Sequence, residues 1–335
     1  MTRAAGSYRA DIVVPCYHEE ETLPQTAPAI LAFFRGAVGD PANRLSAFRI
    51  LLIDDGSRDD TWQIIESYAA AHPEIEGIKL SRNFGHQAAM LSGLTAADAD
   101  VVITMDADLQ DDIEAVRAML AAYEGGAHLA LGVRTDRSAD TKRKKGSAGA
   151  YYRLLSLMGI DIVENHADFR LISRTALDAL LQYREVNLFL RGLIPTLGFP
   201  VVLVPFKRQA RTTGETKYTL RKMVGLALDG ITSFSVVPLR IIALTGALLF
   251  LGTVITALVF LVQWLLHSSR VVPGWASTVL PMLFLGGMQL LSIGILGEYI
   301  GKVYLETKRR PRFIVQETTE AGLSGRIGRA AARDI

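Results

Sequence analysis

Val101-Val102-Ile103-Thr104-Met105-Asp106-Ala107-Asp108-Leu109-Gln110 is a short β-branched, apolar run that ends in two carboxylates one residue apart. A strand buried on both faces reads as such a continuous run, without the alternation of a half-exposed strand. Alternate residues of an extended segment point the same way, so Asp106 and Asp108 converge on one hard cation and the phosphates it bridges, with Gln110 continuing their register. A lone acidic pair is weak evidence, because aspartates are common in turns: Asp98-Ala99-Asp100 precedes the run and reads as a solvated turn. Position after the strand separates the two pairs.

Working outward, similar runs predict strands at Asp11–Pro15, Phe48–Ile53, Gly77–Leu80, Val101–Met105, Leu129–Val133 and Val201–Phe206. Leu23, Ala27, Ile30, Leu31, Phe34 and Val38 fall on one helical face after the first, and Trp62, Ile65, Tyr68 and Ala69 on one face after the second. Strands alternating with such helices predict an α/β parallel sheet, in which a ligand binds beyond the carboxyl ends of the strands. The polar clusters stand there: Pro15-Cys16-Tyr17-His18-Glu19, Asp54-Asp55-Gly56-Ser57, Ser81-Arg82-Asn83 and Asp106 onward. Ser57, Asp59 and Thr61 read first as turn and cap residues, whereas Asp55 has the position to accept a hydrogen bond from a nucleobase edge.

The 335 residues carry 36 Lys plus Arg against 34 Asp plus Glu, a net charge of +2, which argues against a uniformly basic nucleic-acid binder. One cysteine, Cys16, excludes an internal disulfide and a Cys-based zinc cage, fits a reducing compartment and reads as a buried small side chain. The apolar run before Pro15 is too short for a secretory signal, which predicts a cytoplasmic N-terminal domain. Near the C-terminus, two stretches at about 241–266 and 278–300 are long and apolar enough to cross a bilayer. Basic residues flank the pair, with Arg208, Arg211, Lys217, Arg221, Lys222 and Arg240 before it and Lys302, Lys308, Arg309, Arg310 and Arg312 after it. The positive-inside rule then predicts a multi-pass protein of the inner (plasma) membrane with both termini cytoplasmic. The stretch Tyr218 to Phe234 is amphipathic and reads as an interfacial helix or as a helix packed on the N-terminal domain.

Taken in order, Ile12 to Glu20, Asp54-Asp55-Gly56-Ser57, Leu80 to Gly85, Asp106 to Asp111, Ala167-Asp168-Phe169-Arg170-Leu171 and Gly214-Glu215-Thr216-Lys217-Tyr218 resemble family 2 glycosyltransferases that act on polyprenyl phosphates. Asp229 to Ser235 and Ile293 to Gly301 resemble the branch with two C-terminal membrane helices, which includes the bactoprenol glucosyltransferases and is similar to dolichol-phosphate mannose synthases. The resemblance implies a nucleotide-diphospho-sugar transferase domain, GT-A and Rossmann-like, followed by two transmembrane helices. The expected plan is a catalytic domain over 1–216, a juxtamembrane amphipathic helix over 217–238, the two spans within 239–303 and a cytoplasmic tail over 304–335.

The resemblance further implies roles for single positions. Pro15, Tyr17, Glu19 and Asp55 surround the nucleoside, Arg82 and Ala107 belong to the donor site, and Asp106 stands near the ribose or the metal. Asp106, Asp108 and Gln110 form the expected metal set for Mg²⁺ or Mn²⁺. Arg134 is expected on the donor phosphates, with a second contact from Arg143 or Lys145, where the family pattern expects arginine at the position of Lys145. Arg211 and Lys217 are expected on the acceptor side, and Asp168 either positions the acceptor phosphate or acts as base.

The implied reaction is inverting transfer of a hexose, with UDP-glucose the leading donor, to undecaprenyl or another polyprenyl phosphate at the cytoplasmic membrane face. GDP-mannose or a UDP-amino sugar is the alternative, and a homo-oligomer is left open. A non-catalytic membrane scaffold is disfavoured by the intact acidic motif, and a processive polysaccharide synthase by the lack of Gln-x-x-Arg-Trp.

Overall fold

A computed structural model describes residues 6–108, 110–135, 166–183, 185, 190–207, 237–266 and 275–320. The strands are β1 (Tyr8–Cys16), β2 (Leu45–Asp54), β3 (Ile75–Leu80), β4 (Val101–Thr104), β5 (Leu129–Arg134), β6 (His166–Ser173), β7 (Val201–Phe206) and β8 (Val315–Thr318). They form one sheet of order β7-β5-β6-β4-β1-β2-β3-β8. The six runs predicted from sequence are β1 to β5 and β7, and the neighbours β1–β2, β1–β4, β2–β3 and β5–β7 are parallel. Two strands were not foreseen: β6 lies antiparallel between β4 and β5, and β8 lies antiparallel on β3. The sheet is therefore mixed, within an α/β architecture.

Helices α1 (Leu23–Val38), α2 (Thr61–Ala71), α3 (His86–Ala96) and α4 (Ala115–Glu124) follow β1 to β4. The predicted apolar face of α1 is the buried one, through Leu23, Ala27, Ile30, Leu31 and Phe34, while Val38 is only half-buried. Removing a fully buried ring such as Phe34 costs about 3–5 kcal/mol in cores of this kind. Helix α3 lies against β1 because Gly93 lacks a side chain: a Cβ there would stand 2.3 Å from Val13 Cγ1. That close approach carries the N-terminus of α3 to the carboxyl ends of the strands. Two shorter helices, α5 (Arg174–Leu180) and α6 (Leu190–Thr196), follow β6.

The chain divides into two compact units. One holds the sheet, including β8 and the residues from Arg310, so part of the segment expected as a cytoplasmic tail supplies an edge strand to the sheet. The other holds two long helices, α7 (Val237–Leu266) and α8 (Trp275–Thr307). Among the described residues, one stretch is long and apolar enough to cross a membrane: Phe284–Thr307, 24 residues at a mean hydropathy of 1.2. Val237–Leu249 is a shorter apolar stretch. The stretch Tyr218 to Phe234, read as an interfacial helix or a helix packed on the N-terminal domain, lies outside the described residues.

Candidate active site

The carboxyl ends of β1, β2 and β4 are tied together by backbone hydrogen bonds, with Asp55 N donating to Cys16 O at 2.9 Å and Met105 N to Val13 O at 3.1 Å. Pro15 and Cys16 are buried there, opposite Ile53 and Asp54. Beyond them the chain turns at Tyr17 and His18, and the loop after β2 holds that turn. His18 N donates to Ser57 Oγ at 3.0 Å, Glu19 N donates to Thr61 Oγ1 at 2.9 Å, and Thr61 Oγ1 donates to Asp59 Oδ1 at 2.7 Å. Ser57 and Thr61, read first as turn and cap residues, thus brace the loop after β1; the N-cap of α2 is Asp60, which makes no side-chain capping bond. Tyr17 is 44% exposed and its ring lies tilted against the His18 ring, centroids 4.2 Å apart, presenting an aromatic surface at the strand ends.

Asp55 is engaged within the protein as well. Its two carboxylate oxygens accept from Phe84 N at 2.8 Å and Gly85 N at 2.9 Å, so it fixes the loop that leads into α3. Burial raises its carboxyl above the usual range, and the two backbone donors pull the other way. Gly56, at φ 66, lies under the same loop, where a Cβ would stand 2.3 Å from the Arg82 carbonyl carbon. Arg82 is exposed and stacks over Phe84 at 3.9 Å.

The acidic motif also departs from its extended register. β4 ends at Thr104 and the chain turns at Ala107 and Asp108, with Gln110 N donating to Asp108 Oδ1 at 3.2 Å. The turn is favoured because an aspartate side chain accepts from its own backbone two residues on. Ala107 is buried, and its carbonyl accepts from Thr26 Oγ1 at 2.6 Å, which anchors the motif on α1. Gln110 is buried.

Arg134, at the end of β5, stands 3.5 Å from Asp111. Arg143, Lys145, Arg211 and Lys217 lie outside the described residues.

β6 brings a second acidic centre to the same place. Thr104 Oγ1 donates to Asp168 O at 2.5 Å, which puts Asp168 just past the end of β4. Asp168 pairs with Arg170 on its own strand and with Arg191 on α6, whose Nε and Nη2 donate at 3.2 and 2.6 Å. His86, the first residue of α3, has Nε2 3.5 Å from Asp168 Oδ2 and 3.7 Å from Asp106 Oδ1. Burial opposes ionisation of Asp168, but Arg170, His86 and Arg191 outweigh it and hold the carboxyl well below the usual range. Asp106 is pushed up, first by burial and then by the charges of Asp168 and Asp108. His86 is raised: burial favours its neutral form, and the Asp168 and Asp106 carboxylates prevail.

Sequence reasoning singled out neither His86 nor Arg191. His86 directly follows the Leu80–Gly85 motif, so its place was readable; Arg191 sits on a seven-residue helix with no flanking pattern.

Among the described residues, no group of three or more His, Cys, Asp or Glu side chains forms a cation cage. The donor chemistry nevertheless suits a hard cation. Mg²⁺ is usually held by one or two carboxylates together with substrate phosphates, and mutual repulsion among Asp106, Asp108 and Asp168 is what a cation there relieves.

The acidic turn at a strand end, the anchored loop after β2 and the buried Asp168 centre stand together at the carboxyl ends of the strands, and residues 11–181 match glycosyl transferase family 2. The chain belongs to that family. Over 91% of its length this glycosyltransferase is 42% identical to YkoT, an uncharacterized glycosyltransferase of Bacillus subtilis, covering 90% of that protein. It is 35% identical to the prophage bactoprenol glucosyl transferase homolog of Escherichia coli, over 92% of this chain and 98% of the other. The bactoprenol glucosyl transferase of Shigella phage SfX is 36% identical, over 92% and 99%. Among solved structures, a Staphylococcus aureus TarS fragment in complex with UDP-GlcNAc aligns at a TM-score of 0.45 and 14% identity, over 67% of this chain and 66% of that one.

Proposed function

We propose that this glycosyltransferase moves glucose from UDP-glucose to a polyprenyl phosphate such as undecaprenyl phosphate, at the cytoplasmic face of the membrane, with inversion at the anomeric carbon. The observation that carries the reading is near-full-length similarity to proteins named bactoprenol glucosyl transferases, joined to an acidic turn at the end of β4. In this reading Asp106 and Asp108, with Gln110 beside them, hold Mg²⁺ or Mn²⁺ against the donor pyrophosphate. The cation neutralises charge growing on the leaving diphosphate. Arg134 shares that task, Tyr17 and Glu19 border the nucleoside, and Arg211 with Lys217 serve the acceptor.

The reading also makes α7 and α8 two membrane spans with both chain termini cytoplasmic. The basic flanks support it, as does the length of α7, 30 residues, and of α8, 33 residues. A lipid acceptor then keeps its chain in the bilayer while its phosphate reaches the strand ends.

The test is a donor panel of UDP-glucose, GDP-mannose and UDP-N-acetylglucosamine with undecaprenyl phosphate and Mg²⁺ or Mn²⁺, read as sugar in the lipid extract. UDP-glucose is expected to label the lipid. Transfer from another donor corrects the sugar, and no labelled lipid from any donor overturns the function. Asp108→Asn is expected to abolish labelling at unchanged protein level in the membrane; normal turnover by that variant removes the metal assignment. Reporter fusions that place either terminus outside refute the topology.

A further inference from the structure

Asp168 is the most heavily engaged carboxylate at the strand ends. Arg170 Nη2 and Arg191 Nε reach Oδ1, Arg191 Nη2 reaches Oδ2 at 2.6 Å, and His86 Nε2 stands 3.5 Å from that oxygen. A carboxylate has about four lone-pair positions on its two oxygens, and two guanidiniums directed at them leave a poor proton acceptor.

The partners of Asp168 differ in exposure. The Arg170 side chain is 1% exposed, against 40% for Arg191 and 42% for His86. Asp168 is thus a buried hub that holds one fork-shaped cation and one imidazole toward solvent. The backbone is built to keep this geometry. Leu190 N, at the start of α6, donates to Gln87 Oε1 on α3 at 3.4 Å, so the helices bearing Arg191 and His86 are joined next to the two residues.

We infer that Arg191, joined by His86, receives the acceptor's phosphate, and that Asp168 is the positioning residue that presents both of them instead of a base. This rests on the polyprenyl-phosphate reading above. A phosphate monoester carries about −1.5 to −2 charges near neutral pH, so its attacking oxygen is already unprotonated. That oxygen forms the new bond to the anomeric carbon as the bond from the same carbon to the β-phosphate oxygen breaks, and the nucleoside diphosphate leaves with the electron pair. No proton moves, and no base is required. A fork of N–H donors held in place by Asp168 supplies what the step does need, which is orientation of a charged nucleophile.

The experiment uses the full-length chain in membranes at matched protein levels. KM is measured separately for undecaprenyl phosphate and for UDP-glucose, or for the donor that the panel selects. Arg191→Ala is expected to raise the acceptor KM about tenfold or more while the donor KM stays within about twofold. Arg191→Lys falls between, because an ammonium keeps the charge and loses the fork. Added guanidinium is expected to restore part of the activity of Arg191→Ala and none in Arg191→Lys. An unchanged acceptor KM in Arg191→Ala, or a shift confined to the donor KM, overturns the inference while leaving the function intact. Failure of the wild type to label undecaprenyl phosphate from any donor overturns both.

Discussion

Two buried aspartates in this protein each grip an arginine through two hydrogen bonds, and only one of them belongs to a site. Asp11, on β1 well before the strand's end, takes Arg49 Nε at 3.0 Å and Nη2 at 2.8 Å. It also accepts from the backbone N–H groups of Asp98 and Ala99 at 2.7 and 3.0 Å, while Arg49 goes on to Glu76 and Asp98. That network closes on itself, with Arg49 only 13% exposed. Asp168 makes an equivalent pair with Arg191 at the opposite ends of the strands, but there the arginine side chain is 40% exposed. An identical contact stabilises the fold at one edge of the sheet and presents a charge to a ligand at the other. Chemistry alone does not distinguish them; position along the strand and exposure of the arginine do.

The sharpest way to break the comparison is to neutralise each carboxylate in turn. Asp168→Asn should lower transfer by about 100-fold, the scale of a misplaced reacting group, as measured by lipid-linked sugar formation. Asp11→Asn should leave turnover per folded molecule nearly unchanged, and equal losses in both variants would erase the distinction. Next in size is Arg49→Leu, which leaves Asp11, Glu76 and Asp98 facing one another without their cation. It should cost about 3–5 kcal/mol of stability, read from denaturation of the detergent-solubilised protein. The double variant Asp11→Leu with Arg49→Leu should recover part of that loss, since no buried charge is then stranded; additive losses would show that the pair was never coupled.

The smallest effect concerns pH. Glu76 is pushed up to about 7, by burial and by a hydrogen bond with Glu320, against the pull of Arg49. A carboxyl whose folded pKa exceeds its unfolded value of 4.5 binds more protons folded than unfolded. Its contribution is therefore complete below 4.5 and lost as pH rises through about 7. Glu76→Gln should flatten the fall in thermal midpoint between pH 5 and pH 8, and an unchanged slope would remove Glu76 from that role.

These contrasts also explain what the sequence disclosed. The parallel strands were legible because Ile12-Val13-Val14 or Val101-Val102-Ile103 bury both faces and carry no polar side chain. β6 was not, since His166, Asp168 and Arg170 occupy alternate positions of a fully buried strand, and their polarity hides an apolar partner face of Ala167, Phe169 and Leu171. β8, Val315-Gln316-Glu317-Thr318, is short and polar and becomes a strand only because β3 offers an open edge. In the site, the acidic motif was recognised but its turn was read as extended chain. Asp55 was placed correctly at its strand end, yet its bonds go to Phe84 and Gly85, a tertiary contact 29 and 30 residues away that no local pattern encodes. Arg191 was illegible for the same reason: only the folded chain brings it to Asp168.

The pairing of β8 with β3 sets a timetable for synthesis. Gly77 N donates to Thr319 Oγ1 at 2.8 Å across 242 residues of chain, and both long helices lie between the two. A ribosome must therefore finish α7 and α8 before the edge of β3 can be covered. Until then the nascent sheet displays an open strand edge, the kind of surface that chaperones shield and proteases sample. A chain halted inside either helix never acquires its last strand, so completion of the sheet certifies that both helices have been made.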